Sequence, residues 1–182
     1  MSEPMMISIK GLNQATEEVR AAVHQGVLVG LEALGVTAVK QVVENIRSPY
    51  DGMPPAVASG NLAASPFATV TPSATLSRLL VQAGAPADVY ADPINSGARP
   101  HMPPVNALLP WVKQKFGIDD EKSALRVAWA IAINQAKKGL RGRQMFDRAQ
   151  VIIDPQAASI IERQIAVSLR LMGVGGESVA TS

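Results

Sequence analysis

The chain has 182 residues, a formal charge of +2, 47% hydrophobic and 18% charged residues, and no cysteine. These figures exclude a disordered chain, a disulfide scaffold and a thiolate zinc site, and they are enough for one domain with its own core. Aromatics are only 4%, so the core must be built from small aliphatic side chains, which suit close helix packing better than a deep aromatic-lined pocket. The pI near 9.1 reflects a slight excess of Lys and Arg and does not by itself imply nucleic-acid binding.

Met1-Ser2-Glu3-Pro4 lacks the basic region and apolar run of a signal peptide. No stretch approaches the roughly 20 apolar residues needed to span a bilayer. The expectation is a soluble protein made in a reducing cytoplasm, with no membrane partner.

From Gly11 to Arg47, Leu12, Ala15, Val19, Val23, Val27, Leu31, Leu34, Ala38, Val42 and Ile46 advance by threes and fours. That spacing predicts one amphipathic helix. It would be on the order of 50 Å long, more than a compact domain of this size needs. Ala22, Gly26 and Gly30 form a small-residue ridge. Two readings of it stand: another backbone approaches closely there, or the glycines break or bend the helix.

Ser48-Pro49-Tyr50-Asp51-Gly52-Met53-Pro54-Pro55 ends the helix through Pro and Gly chemistry. Residues 67–71 and 76–83 then predict a hairpin about Pro72-Ser73-Ala74, and residues 88–94 a third short strand. Asn95 to Pro100 reads as a loop. Helices return after Pro103-Pro104, with Val105, Leu108, Leu109, Val112 and Phe116 on one face. Asp119-Asp120-Glu121 opens another that runs to Lys137-Lys138-Gly139, with acids at its start and cations at its end. A last helix is expected from Asp154-Pro155 to about Gly173, and a disordered tail over 175–182. The layout is α+β: a long N-terminal helix packed on a small antiparallel sheet, then several helices, in a single domain over residues 1–174.

The chemical inventory is poor. His24 reads as a surface or boundary residue, and His101 as a structural hydrogen-bonding residue in a Pro-rich loop. No His pair stands at metal-binding spacing, so no metal site is expected. Ser59-Gly60 lacks the full nucleophile turn. Gly139-Leu140-Arg141-Gly142-Arg143 lacks the Gly-Lys-Ser/Thr ending of a phosphate loop and follows a helix. The acids at 119–121 read as a helix cap. No enzyme and no cofactor are expected. Lys137, Lys138, Arg141, Arg143 and Arg148 form the one charged cluster. It is read either as a solvated helix end or as a surface for a phosphate backbone, in a DNA-associated adaptor protein.

Ser59-Gly60-Asn61-Leu62-Ala63-Ala64-Ser65 leads toward the first expected strand. Tyr90-Ala91-Asp92-Pro93-Ile94-Asn95-Ser96-Gly97-Ala98-Arg99-Pro100-His101 carries a Tyr-Ala segment to a glycine and an Arg-Pro-His turn. Pro103 to Val112 contains Pro-Pro, Leu108 and Trp111-Val112, and is followed by Lys137-Lys138-Gly139 and Met145-Phe146-Asp147-Arg148-Ala149. In this order and spacing, over roughly residues 8–150, the chain resembles the tail-completion or head–tail joining proteins of long-tailed bacteriophages, including the group called minor tail protein Z. The family usually has an acidic residue where this chain has Asn95. The resemblance implies a non-enzymatic virion protein of the neck or tail, assembled in the host bacterial cytoplasm. It implies a ring, hexameric, between head connector and tail tube. The implied partners are sister copies, head-completion or connector proteins, and the tail tube or tail terminator. Arg99, His101, Pro103, Pro104 and Trp111 are the candidate interface residues. The long helix would share apolar surface with a neighbour, and the stiff turn from Arg99 to Pro104 would dock with little ordering cost.

Overall fold

The stripe of threes and fours folds as α1 (Glu17–Arg47), one unbroken helix with acids in its first turn and Arg47 in its last. In the computed structural model, residues 17–56 and 60–172 are described; residues 11–16 of the expected helix and the expected tail at 175–182 lie outside them. After α1 come α2 (Asn61–Ala64), β1 (Pro66–Thr71), β2 (Arg78–Ala83), α3 (Asp88–Ser96), β3 (Gly97–Ala98), α4 (Val105–Phe116), α5 (Glu121–Lys138), β4 (Leu140–Arg141) and α6 (Met145–Leu171). The fold is α+β: the long first helix packs on a two-stranded antiparallel sheet, β1–β2, and several helices follow.

The described residues gather into two compact units. The first takes in residues 17–41, 67–82 and 149–172, hence most of α1, the β1–β2 hairpin and most of α6. Its core joins Val27, Leu31, Leu34 and Ala38 of α1 to Leu79 of β2 and to Ile153, Ala157 and Ile161 of α6. Along the strands burial alternates, so Ala68, Val70, Leu79 and Val81 face this core while Phe67, Thr69 and Leu80 do not. Each fully buried aliphatic side chain contributes about 1.5–3 kcal/mol. The ridge on α1 has the first of its two readings. A Cβ on Gly26 would lie 2.5 Å from Ile165 Cα, and one on Gly30 2.9 Å from Ile161 Cα. The glycines let the α6 backbone close on α1, with no break in the helix.

This packing corrects two expectations about α1. Its stripe is covered within the chain: Leu31 and Leu34 are buried under the hairpin and α6 in the first unit, and Val42 and Ile46 are buried in the second. And α1 is, by length and composition, long and apolar enough to cross a membrane. Between Arg20 and Lys40 the one charged residue is Glu32, so polar residues interrupt the apolar run without lowering it below what a membrane span needs. A buried core helix has the same composition.

The second unit takes in residues 42–56, 60–66 and 83–148. Here α4 and α5 pair through Val112, Ala124 and Ala128, all fully buried, with Leu108, Leu109 and Ile131 around them. The alanine spacing of four gives α5 a flat stripe, and Asp120 caps it by accepting from the Ser123 amide at 2.8 Å.

Two elements differ from the sequence reading. Residues 88–94 are not a strand but most of α3. Ala87, Ala91 and Asn95 are buried at a spacing of four, and the β-forming Val89 points to solvent at 82% exposure. Helical burial overrides the strand propensity of Val89, Tyr90 and Ile94. The expected loop at 95–100 accordingly contains the end of α3 and then β3, which pairs antiparallel with β4. The last helix begins at Met145, nine residues before Asp154, and Pro155 lies inside it. Asp154-Pro155 imitates a helix start, yet the actual start is capped from another part of the chain. At the proline the Gln156 side chain donates to the Ile152 carbonyl at 2.9 Å.

Candidate functional site

Segments far apart in the sequence meet in the second unit around β3 and β4. Gly97 pairs with Arg141 and Ala98 with Leu140. The approach is close enough to demand glycine. A Cβ on Gly97 would sit 2.6 Å from the Leu140 carbonyl oxygen, one on Gly142 2.7 Å from that of Asn95, and one on Gly139 would collide with that of Ala98. The Gly139-Leu140-Arg141-Gly142-Arg143 run is thus a backbone-packing segment and not a phosphate cradle.

Asn95 ties this junction to the start of α6. Its Oδ1 accepts from the Phe146 amide at 2.9 Å and its Nδ2 donates to Asp147 Oδ2 at 2.8 Å. The amides of Arg143 and Gln144 donate to the carbonyls of Ile94 and Asn95 at 2.9 and 2.8 Å. Asn45, also buried, donates to the Met145 carbonyl at 2.9 Å. At the helix start the Phe146 amide and the Met145 carbonyl are thus each bonded by a side chain, the one from α3 and the other from α1.

From this junction the interface candidates project. Arg99, His101 and Pro104 are exposed, Pro103 is buried, and Trp111 is 39% exposed. His101 Nδ1 lies 2.8 Å from the Arg99 carbonyl and its Nε2 lies 3.4 Å from Gln135 Nε2, so the imidazole braces the turn against α5. Pro103 pins the turn while its neighbours face solvent. Trp111 stacks edge-on with Phe116, ring centroids 5.9 Å apart, and Met102 and Phe116 are exposed as well.

The basic cluster is arranged differently from its sequence reading. Arg141 forms an ion pair with Asp51, Arg143 donates to the Pro54 carbonyl, and the Arg148 guanidinium lies over the Tyr50 ring at 4.4 Å. Tyr50 in turn donates to Gln144 Oε1 at 2.7 Å. Burial pulls the Arg143 guanidinium below its ordinary pKa, and Arg148 Nη1 is buried without a hydrogen-bond partner among the described residues. Lys137 and Lys138 remain exposed at the end of α5. Three of the five cations therefore hold one turn, Tyr50–Pro54, which the sequence reading treated only as a helix stop. The Asp-Gly pair within it was the available signal.

Among the described residues no group of three His, Cys, Asp or Glu is placed to hold a metal ion. His24 Nε2 lies 3.3 Å from the Ser73 carbonyl at the tip of the hairpin. Of the Ser59–Ser65 segment, Ser59 is outside the described residues, and Asn61–Ala64 forms the short helix α2 entering β1. No protein-family model matches the chain, and no curated protein or solved structure is significantly similar to it.

Proposed function

We propose that the protein is a non-enzymatic structural component of a bacteriophage virion, a tail-completion or head–tail joining subunit that closes into a ring of identical copies between head connector and tail tube. The observation that carries this reading is the meeting of the motif segments in the second unit. Tyr90–His101, Lys137–Gly139 and Met145–Arg148 share only their order along the sequence. They come together through the β3–β4 pair and the Asn95 side chain, and the turn they brace is Arg99–Pro104. A stiff, exposed, proline-bounded turn next to exposed Met102, Trp111 and Phe116 has the features of a docking element: little entropy to lose and apolar surface to bury. With the α1 stripe covered inside its own chain, support for assembly rests on this surface and not on the long helix.

The test is the mass of the purified protein in solution, alone and mixed with the portal-side and tail-tube proteins of the same gene cluster. A closed ring, six copies on this reading, is expected in at least one condition. A strict monomer in both, or a gene neighbourhood of metabolic enzymes without portal or major tail genes, overturns the proposal.

A further inference from the structure

The Tyr50–Pro54 turn lies on three of the five cations of the basic cluster, and its build is that of a preformed cap. Tyr50 and Met53 exchange backbone hydrogen bonds of 3.0 and 2.8 Å. Asp51 and Gly52 between them have φ of 48° and 74°, the left-handed pair that a two-residue hairpin turn requires and that Asp-Gly favours. The flanks are anchored separately: the Ser48 amide donates to the Glu44 carbonyl and the Ala56 amide to the Ile46 carbonyl, each at 2.9 Å. The contacts between turn and cluster are of a weaker kind. The Asp51 and Arg141 side chains are 59% and 66% exposed, so their ion pair competes directly with salt and with any outside anion.

We propose that this turn is an intramolecular mask over a binding site for the phosphate backbone of duplex DNA. Closed, the Asp51 carboxylate takes on Arg141 the place a phosphate oxygen would take, while Pro54 and Tyr50 occupy Arg143 and Arg148. Lifted, the turn releases the three guanidinium groups to act with Lys137 and Lys138. Guanidinium and ammonium groups without a reader for base edges recognise backbone charge and not sequence. Between Lys137 and Arg148 the one aromatic residue is Phe146, which is partly buried, and the Tyr50 ring over Arg148 leaves with the lifted turn, so the opened cluster lacks the stacking platform that single strands need. The inference does not rest on ring assembly, whose mass readout is separate.

The experiment measures affinity of the full chain for a short random-sequence duplex across a salt series. With about 0.9 of slope per phosphate contact, the unaltered protein is expected near −1.8, from the two free lysines. Asp51→Asn should bind roughly two- to five-fold tighter at low salt, the range a surface ion pair sets, with a slope near about −2.7. Adding Tyr50→Ala should steepen it toward about −4.5. Arg141→Ala on top of Asp51→Asn should cancel the gain. Asp119→Asn, which removes an exposed charge away from the cluster, should leave the slope unchanged. The proposal is overturned if Asp51→Asn matches the unaltered protein, if it gains no more than Asp119→Asn, or if the unaltered protein already shows the full five-contact slope.

Discussion

The Asn95 carboxamide and the Asp147 carboxylate meet across 52 positions of sequence, Nδ2 donating to Oδ2 at 2.8 Å. The other end of the same carboxamide accepts from the Phe146 amide at 2.9 Å. One buried side chain thus uses its donor and its acceptor on the first turn of α6. An acid at this position would keep the acceptor, lose the donor and set two carboxylates face to face. The amide at 95 is the residue that suits the carboxylate at 147.

Asn95→Asp should therefore destabilise the protein by about 1–3 kcal/mol at neutral pH, the cost of an unmatched buried polar group. Combining it with Asp147→Asn restores a donor opposite an acceptor and should recover most of the loss. Denaturant unfolding of the two single variants and the double variant reads this cycle; equal and additive losses would contradict it.

Gly26→Ala and Gly30→Ala test the α1–α6 approach. In an exposed helix alanine would gain about 1 kcal/mol over glycine. Here the added Cβ meets the α6 backbone at 2.5 Å from Ile165 Cα and 2.9 Å from Ile161 Cα. Overpacking of this kind costs about 1–3 kcal/mol, so both variants should unfold at lower denaturant, Gly26→Ala more so. Stabilisation by either would show that the helices stand farther apart.

Hydrogen bonds from the side chain and amide of Ser123 hold the Asp120 carboxyl below its ordinary pKa. A carboxylate depressed on folding stabilises above its unfolded pKa and loses that contribution as pH falls through the lower, folded value. Asp120→Asn keeps a capping oxygen but cannot titrate. Its melting temperature should match the parent closely near neutrality and fall less steeply on acidification below about pH 4. Parallel curves for the two proteins would remove Asp120 as the source.

Trp111 and Leu34 should separate docking from folding. Leu34 is fully buried, and Leu34→Ala should cost about 2–5 kcal/mol. Trp111→Ala, at a side chain 39% exposed, should cost far less stability and yet abolish assembly with partner proteins, if the surface beside the Arg99–Pro104 turn is the docking face. A ring that forms unaltered with Trp111→Ala would move that face elsewhere.

Much of the local architecture was legible in the sequence. The three-four spacing of α1, the hairpin around Ser73, the Asp120 cap and the Lys137-Lys138-Gly139 stop each lie within a few residues, where the chain carries its own signal. The strand expected at 88–94 failed because Val89 and Tyr90 favour strands locally, while Ala87, Ala91 and Asn95 find burial only in the folded unit. The start of α6 was missed for a similar reason: its cap is Asn95, which no window around Met145 contains.

By itself the sequence determined the three-four apolar spacing of the helices, the turn chemistry of Asp51-Gly52, and the absence of any cysteine. Tertiary structure alone decided that Gly26 and Gly30 admit a second backbone, that Asn95 faces Asp147, and that three arginines close on the Tyr50–Pro54 turn and not on solvent. The division follows from range. Periodicity and capping act over a turn or two of chain, whereas the partner of a buried amide or of an arginine is chosen by residues 50 to 100 positions away.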